Sequence, residues 1–308
     1  MLRRGACLLE RIGAVPNVNA TLQESIGIAG TGRVAQALGR LLRERGEPVV
    51  AVAGRSPGRT AHAAEFIGVA AVSPRQLHEH AGRILIAVSD TAVASVAHTL
   101  AHSGWRQGAA LHTCGSRGPE ILEPLARAGV ACGVLHPLQT VVSPEAGVNA
   151  LPGSTFAVCG DPAAVAWGER IVKLLGGTAL HVAPDAMPLY HAAAVMASNY
   201  VAGLIDAAAI LMKAAGIDEK TALDALGPLV YAGVANALAL GPEQALTGPI
   251  ERGDAETVRH HLPSLAAVPP SVAGLYRSAG LHVLEVARRR GLAEDKAREI
   301  EMLLREGS

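Results

Sequence analysis

The clearest candidate for chemistry is a glycine-rich segment near the N-terminus, residues 26–35, which reads IGIAGTGRVA. A short apolar run ends in Gly30-x-Gly32-x-x-Ala35 and an amphipathic stretch follows, which is the strand–turn–helix context of a dinucleotide fingerprint. In such a fingerprint the first glycine permits a tight turn, the second lets the backbone approach a pyrophosphate, and the small third residue lets helix and strand pack closely. The alternative is an ordinary glycine-rich turn. The loop residues predicted to bind the nucleotide at the helix N-terminus are Gly30, Thr31, Gly32, Arg33 and Val34.

The next apolar run, residues 48–53, indicates which nucleotide would bind. In NAD-preferring folds an acidic residue about 20 positions past the glycines bonds the ribose 2′-hydroxyl. Here the run is followed by Arg55 and Ser56, with Arg59 close behind and no acid at that point. A guanidinium offers a planar fork of donors and a hydroxyl adds another, which suits a 2′-phosphate. The sequence therefore favours NADP(H); the alternative is that both arginines are solvated residues at a helix start.

Two later segments place polar side chains where strand-like runs end. Val88, Ser89 and Asp90 close the fourth predicted strand. Because open α/β sheets bind ligands at the carboxyl ends of their strands, we expect this loop near the nicotinamide ribose, unless it only caps the next helix. His136 and Gln139 end another run and could hold a carboxylate or carbonyl oxygen. The alternative for His136 is a satisfied structural histidine.

A long apolar helical stretch, residues 189–215, contains polar side chains that need partners. His191 and Ser198 are seven residues apart, so on a continuous helix they lie about 20° apart on one face, with Asn199 on the adjoining edge. His191 could donate a proton to a reduced carbonyl or imine, because the pKa of histidine lies near working pH. The alternative is hydrogen bonding between helices in a buried seam. The candidate catalytic residues are His191, Ser198, Asn199 and His136.

A polar loop between two later helical runs, residues 247–254, contains a second candidate for substrate binding. Arg252 could hold a substrate carboxylate through two parallel hydrogen bonds. The alternative is an exposed arginine in a structured turn, with Asp254 capping the helix that follows. Gln139 and Arg252 are therefore the predicted substrate-binding residues.

The first half of the chain alternates short apolar runs with helical stretches, which favours a mostly parallel sheet with helices on both faces. After Met187 the sequence contains long Ala- and Leu-rich helical runs and no good strands. The stretch from Tyr190 to Leu211 is apolar on nearly all sides, which predicts a helix buried between the sheet domain and other helices or in a subunit interface. We expect an N-terminal extension (1–24), a nucleotide-binding α/β domain (25–184) and an all-helical domain for substrate binding and dimerisation (185–308). The predicted strands are Ser25–Ala29, Val49–Ala53, Ala70–Val72, Ile84–Val88, Ala110–Thr113, Val130–Leu135, Thr155–Cys159 and Ala179–Val182.

This layout resembles the superfamily of 6-phosphogluconate, 3-hydroxyisobutyrate and prephenate dehydrogenases, ketopantoate reductase and pyrroline-5-carboxylate reductase. More closely, the chain resembles Rossmann-like proteins with an uncharacterised C-terminal domain, domain of unknown function 2520. Three stretches carry the resemblance beside the glycine loop: residues 135–140 (LHPLQT), 190–199 (YHAAAVMASN) and 245–254 (ALTGPIERGD). The resemblance implies a nicotinamide-type fold without fixing a substrate. The 3-hydroxyisobutyrate-type dehydrogenases carry a catalytic Lys with an Asn one turn later on the equivalent helix, and this chain lacks that pair.

Composition narrows the class of protein. The 308 residues include 27 Lys plus Arg and 27 Asp plus Glu, so charge offers no argument for nucleic acid or a membrane surface as a partner. The four cysteines lack metal-ligand spacing, and Cys132 and Cys159 lie in apolar runs, so we expect no metal and a reducing cytoplasm. No apolar run is expected to reach the length of a membrane span. The N-terminal extension is expected either to be disordered or to result from a start codon assigned upstream of the true one.

Together these patterns predict a cytoplasmic, NADPH-dependent oxidoreductase that acts as a homodimer. Its reaction would be hydride transfer to a small oxo acid or cyclic imine, ketopantoate-like or pyrroline-carboxylate-like by analogy with the superfamily. The alternative is a non-catalytic NADPH-binding sensor or assembly protein, which the missing Lys–Asn pair supports.

Overall fold

An eight-stranded sheet forms the first part of the protein, which we describe from a computed structural model covering residues 22–306. The strand order is β3-β2-β1-β4-β5-β6-β7-β8, and every neighbouring pair is parallel except the antiparallel pair β6–β7. The mostly parallel sheet predicted from the sequence is therefore confirmed. The strands are β1 Ile26–Ala29, β2 Val49–Ala53, β3 Ala70–Val72, β4 Arg83–Ile86, β5 Ala109–His112, β6 Ala131–Pro137, β7 Thr155–Gly160 and β8 Thr178–His181.

Helices cover both faces of this sheet. Adjacent residues of β4 alternate between two buried clusters: Leu85 packs with Ile28 and Leu38, whereas Ile84 packs with Leu100 and Trp105. Because successive strand side chains point to opposite faces, each cluster marks a helix layer on one side. The helices of this part are α1 Arg33–Glu44, α2 Pro57–Ile67, α3 Leu77–His80, α4 Asp90–His102, α5 Glu123–Arg127, α6 Pro144–Ala150 and α7 Pro162–Leu174.

The strand order places the site. Strands β2 and β3 continue from one side of β1, whereas β4 and β5 continue from the other, so the connection direction reverses between β1 and β4. Open α/β sheets bind ligands at such a reversal, outside the carboxyl ends of the strands. The residues that follow Ala29 and Ile86 therefore border the expected crevice.

The second part of the described chain is helical, as the sequence predicts. Contacts divide the chain into two compact units, Met1–Val195 and Met196–Ser308. The domain boundary predicted after residue 184 stays a prediction, and the predicted extension lies outside the described residues except for 22–24. The helices are α8 Met187–Ala197, α9 Asn199–Ala214, α10 Glu219–Leu240, α11 Pro242–Ala245, α12 Pro249–Arg252, α13 Ala255–Ser264, α14 Pro270–Arg290 and α15 Glu294–Arg305.

The long helix expected over residues 189–215 is interrupted. Ser198 has φ −128° and ψ −73°, which ends α8 and starts α9. Ser and Asn side chains compete with helical backbone hydrogen bonds and favour helix starts, which accounts for a break at this point. The face shared by His191 and Ser198 was counted on one continuous helix, so that geometric argument is wrong.

The expected burial of this stretch within the chain is also wrong. Within residues 190–211, Met196 and Tyr200 are each 60% exposed. Contrary to the sequence-based expectation, two stretches, Pro184–Ala214 and Glu219–Leu240, are long and apolar enough to cross a membrane by length and composition. The first is broken at Ser198, so it is not one continuous helix. The predicted subunit interface stays a prediction.

Candidate functional site

A crevice of about 470 Å³ opens at the reversal point between β1 and β4. The turns after β1, β2 and β4 contribute to its walls, and Thr113 and Val141 line it from later connections. Most residues predicted to bind a nucleotide meet here, although Ser56 and Arg59 are not among the lining residues. The predicted residues that line the crevice are Gly30, Thr31, Gly32, Arg33, Val34, Arg55, Val88, Ser89 and Asp90.

The two glycines of the fingerprint are needed for different reasons. Gly30 has φ +139°, and a Cβ there would lie 2.1 Å from the carbonyl oxygen of Ala87, so the backbone itself requires glycine. Gly32 has φ −79°, and a Cβ there would meet nothing within 4 Å. Protein packing therefore does not exclude a side chain at Gly32. The open space in front of it fits a nucleotide pyrophosphate, which needs close approach to the backbone.

The start of α1 is arranged to receive negative charge. The helix has no acidic residue in its first turn and no side-chain cap at Gly32, so its first N–H groups are not satisfied by such a cap. The amide of Gln36 donates to the carbonyl of Thr31 at 2.9 Å and braces the loop from behind. Arg33 Nη1 lies 3.3 Å from the carbonyl oxygens of Val141 and Val142, which ties the segment before α6 to the glycine loop.

Positive charge follows β2 as predicted from the sequence. Arg55, Ser56 and Arg59 are all exposed, and neither guanidinium forms an ion pair within the described residues. Ser56 is the N-cap residue of α2, yet its hydroxyl makes no capping bond. These donors are therefore available to an added phosphate, and the group fits NADP(H) better than NAD.

A buried histidine organises the loop after β5. His112 is fully buried, and its Nδ1 accepts a hydrogen bond from the backbone N–H of Cys114 at 3.2 Å. Its proton is therefore on Nε2, which donates to the carbonyl of Gly118 at 3.0 Å. Burial lowers the pKa of His112, so the ring stays neutral. The role of this residue is to hold the loop in shape.

The same loop contacts the crevice through Ser116, whose hydroxyl bonds the carboxylate of Asp90. Ser116 Oγ donates to Asp90 Oδ2 at 3.1 Å and lies 3.3 Å from the Sγ of Cys114. Asp90 lines the crevice at the start of α4. Burial raises the pKa of the Cys114 thiol, so this sulfur is a protonated neighbour and a poor nucleophile.

A pair of imidazoles and a phenol lie beside this loop. Tyr190 Oη is 2.9 Å from His136 Nδ1, and the ring centroids of His136 and His191 are 5.7 Å apart. Gly115 fits between the imidazoles, because a Cβ there would lie 2.6 Å from both His136 Nε2 and His191 Cδ2. We call His136, Tyr190 and His191 the imidazole–phenol cluster. Strand β6 supplies its first member and helix α8 supplies the other two.

The environment fixes the charge of two members of this cluster. Burial and the neighbouring His191 lower the pKa of His136 to about 4, so His136 is neutral near pH 7. Burial raises the pKa of Tyr190 to about 12, which keeps the phenol protonated. Sequence reasoning missed Tyr190, although it stands next to His191 in the stretch that carries the family resemblance. Near pH 7 both His136 and Tyr190 are therefore uncharged.

Two family models match the chain. Residues 14–137 match a Rossmann-like domain, and residues 154–283 match the domain of unknown function DUF2520. The chain thus joins a stretch that matches a Rossmann-like domain to one that matches DUF2520. A search of curated proteins found no match. The crevice lies in the Rossmann-like part, whereas Tyr190 and His191 come from the DUF2520 part, so both matched domains contribute to the described site.

Several solved structures share the fold of this chain. A Bacteroides fragilis protein named as an NADP oxidoreductase superposes with a TM-score of 0.71 at 22% identity, covering 86% of this chain and 99% of its own. A Thermotoga maritima protein superposes with a TM-score of 0.68 at 22% identity, covering 86% of this chain and 98% of its own. A reductive aminase from Aspergillus terreus, in complex with NADPH4, cyclohexanone and allyl amine, superposes with a TM-score of 0.63 at 18% identity. The match covers 91% of this chain and 99% of the aminase chain. At these identities the likeness concerns the fold.

The other predicted site residues lie elsewhere in the Rossmann–DUF2520 chain. The amide of Gln139 is 3.3 Å from Ser154 Oγ and 3.4 Å from the carbonyl of Ala150, and its oxygen accepts from the N–H of Thr140. Gln139 therefore has structural partners. Ser198 and Asn199 stand at the start of α9, and exposed Arg252 ends α12, in the second unit. Their roles toward a substrate stay predictions.

Proposed function

We propose that the protein is an NADPH-dependent reductase that transfers a hydride to a small oxo acid or cyclic imine. The observation that carries the proposal is the meeting of two features at Asp90. This residue lines the crevice and accepts a hydrogen bond from Ser116, whose loop continues through Gly115 to the imidazole–phenol cluster. A nucleotide site and a proton-exchanging group side by side are the parts that a reductase needs.

The residues around the crevice would hold the cofactor. Gly32 and the first turn of α1 would bind the pyrophosphate, and Arg55 with Ser56 and Arg59 would bind the 2′-phosphate. When bound there, NADPH would supply the hydride. The open space before Gly32 and the unpaired guanidinium groups fit this group on the chemistry of the donors alone.

The imidazole–phenol cluster would supply the proton that accompanies the hydride. His191 is the proposed donor, because its imidazole is partly exposed and can therefore contact a substrate. Neutral His136 would position it through the ring contact. Tyr190, bonded to His136, would fix the orientation of that ring and shield it from water.

An imine is the substrate class we favour between the two. The Aspergillus terreus structure holds a ketone and an amine, cyclohexanone and allyl amine, beside its cofactor. Purified protein should oxidise NADPH when screened against cyclic imines, oxo acids and ketone–amine mixtures. Nucleotide binding without turnover of any of these would support the sensor alternative instead.

The cofactor preference is a separate prediction. NADPH should bind at least about tenfold more tightly than NADH, because a charge-assisted contact contributes about 1.5–3 kcal/mol. Calorimetry with both nucleotides at one ionic strength measures this ratio. Arg55→Ala should reduce it, whereas Arg127→Ala, an exposed arginine on α5, should leave it unchanged. Equal affinities for both nucleotides in the native protein would contradict the assignment of the 2′-phosphate site.

The same proposal includes a homodimer in the cytoplasm. Large apolar side chains on α10 are exposed, with Leu229 at 69%, Tyr231 at 80% and Leu238 at 83%. Exposed apolar surface of this extent is typical of protein interfaces, and a second copy presents a matching surface. The three described cysteines are free and buried, which suits a reducing compartment.

Negative charge introduced on that apolar surface should separate the subunits. Tyr231→Glu combined with Leu238→Glu should weaken the dimer at least about 100-fold, because two carboxylates would have to be desolvated at each copy of the interface. Sedimentation or light scattering measures the oligomeric state. Met302→Glu, at an exposed apolar position on α15, is the matched control and should stay dimeric. A monomeric native protein, or one that partitions into lipid vesicles, would contradict the proposal.

A further inference from the structure

A second cavity lies at the amino ends of the strands, at the opposite end of the sheet from the nucleotide crevice. It has a volume of about 710 Å³, and the first residues of β4 and β5, Arg83 and Ala109, line it. The crevice instead borders the carboxyl ends of the same parallel strands, at Ile86 and His112. The two cavities therefore lie at opposite ends of the strands and do not share a wall through them.

The charges around this cavity are unbalanced. Three arginines line it, and none of its described lining residues is acidic. Arg170 is neutralised by Glu47, whose carboxylate oxygens both lie 2.7 Å from Nη2, and Glu24 lies in the same neighbourhood. Arg106 donates only to the carbonyls of Ala101 and Trp105, which carry no net charge. Arg83 has no ion pair within the described residues.

Two donors at this cavity lack acceptors. Arg83 Nη1 and Trp167 Nε1 are both buried and have no hydrogen-bond partner within the described part of the protein. Trp167 is 4% exposed, so its indole N–H is deep in the wall. A buried donor without an acceptor is costly, and the two oxygens of a carboxylate can accept from a guanidinium and an indole N–H together. Rotation of the partly exposed Arg83 would bring its nitrogens to such a ligand.

The remaining walls are mainly apolar, although Gln23, His78 and Gln107 also line the cavity. Trp105 and Trp167 present aromatic surface, and the alanines at 81, 163 and 166 line the space between them and the arginines. An inorganic ion would leave this surface in contact with water, whereas an organic molecule would cover it. We propose that this cavity binds a small organic carboxylate with an apolar body. Its carboxylate accepts hydrogen bonds from Arg83 and Trp167, and its apolar part lies against the two indole rings.

The chain has a built-in reporter for this site. The sequence contains two tryptophans, and both line this cavity. Benzoate, cyclohexanecarboxylate and hexanoate are titrated into the full-length protein without NADPH while tryptophan fluorescence is recorded. At least one should give a saturable change, and inorganic phosphate at equal ionic strength should not. Because no nucleotide is present, this result does not depend on the reductase proposal.

Two substitutions and a control complete the test. Arg83→Met keeps the aliphatic stem and should weaken carboxylate binding at least about tenfold, since a charge-assisted contact is lost. Trp167→Phe keeps the ring without its donor and should weaken it less, with Trp105 as the remaining reporter. Arg298→Met, which removes an exposed charge on α15, should bind like the native protein. No saturable response to any of the three carboxylates, an equal response to phosphate, or unchanged binding in Arg83→Met would overturn the proposal.

Discussion

His191→Ala should lower turnover by about 10²- to 10⁴-fold, the usual contribution of a general acid. The loss follows from removing the proposed proton donor, while the nucleotide crevice keeps all of its lining residues. The affinity for NADPH should therefore change by less than about twofold. Steady-state rates on the imine found by the screen, together with calorimetry for NADPH, measure the two quantities.

Controls separate catalysis from packing in this cluster. His282→Ala, an exposed histidine on α14, should keep full turnover. Tyr190→Phe removes the hydroxyl that bonds His136 and should lower turnover by about tenfold, less than His191→Ala does. A larger loss in Tyr190→Phe than in His191→Ala would make the phenol the donor. Full turnover of His191→Ala with a lowered melting temperature would mean that His191 is structural.

Gly32→Val should abolish nucleotide binding, with an affinity loss of at least about 100-fold, or about 2.7 kcal/mol. The side chain would occupy the space through which the pyrophosphate approaches the backbone. The protein should stay folded, because a Cβ at this position meets no protein atom within 4 Å and the backbone is extended there. Calorimetry with NADPH and a thermal melt give the two readouts.

A matched glycine tests whether the effect is local. Gly274 on α14 also has open space around its Cβ position, so Gly274→Val should fold and bind NADPH normally. If Gly32→Val bound NADPH with native affinity, the glycine loop would be a structural turn only. If it failed to fold, the reading of open space at Gly32 would be wrong.

The sheet was predictable because its strands are strongly apolar and separated by clear turn signals. All eight appear within about three residues of their expected ends, and Gly30 and Gly32 stand where the fingerprint places them. Local sequence pattern and tertiary structure agree in this part of the chain, so the pattern alone was sufficient to predict the strands and the glycine loop.

The imidazole–phenol cluster was harder to predict, because it depends on contacts between distant segments. His136 and Tyr190 are 54 positions apart, and their hydrogen bond cannot be inferred from spacing. The break at Ser198 was missed for another reason. Apolar periodicity runs through it, and only the tendency of Ser and Asn to start helices marked the point. The contacts of the Gln139 amide with the carbonyl of Ala150 and with Ser154 could not be inferred from the sequence either, and its predicted role toward a substrate stays a prediction.

The glycine between the two imidazoles constrains how the sequence around this cluster can change in evolution. Gly115 contributes no functional group, and its backbone is not in the left-handed region, so conformation alone does not require it. Its hydrogen atom leaves the space in which both rings fit. A descendant that gained even a methyl group here would have to move or lose one ring. Across relatives, glycine at this position should therefore be inherited together with both histidines, and its replacement should mark lineages that have abandoned the pair.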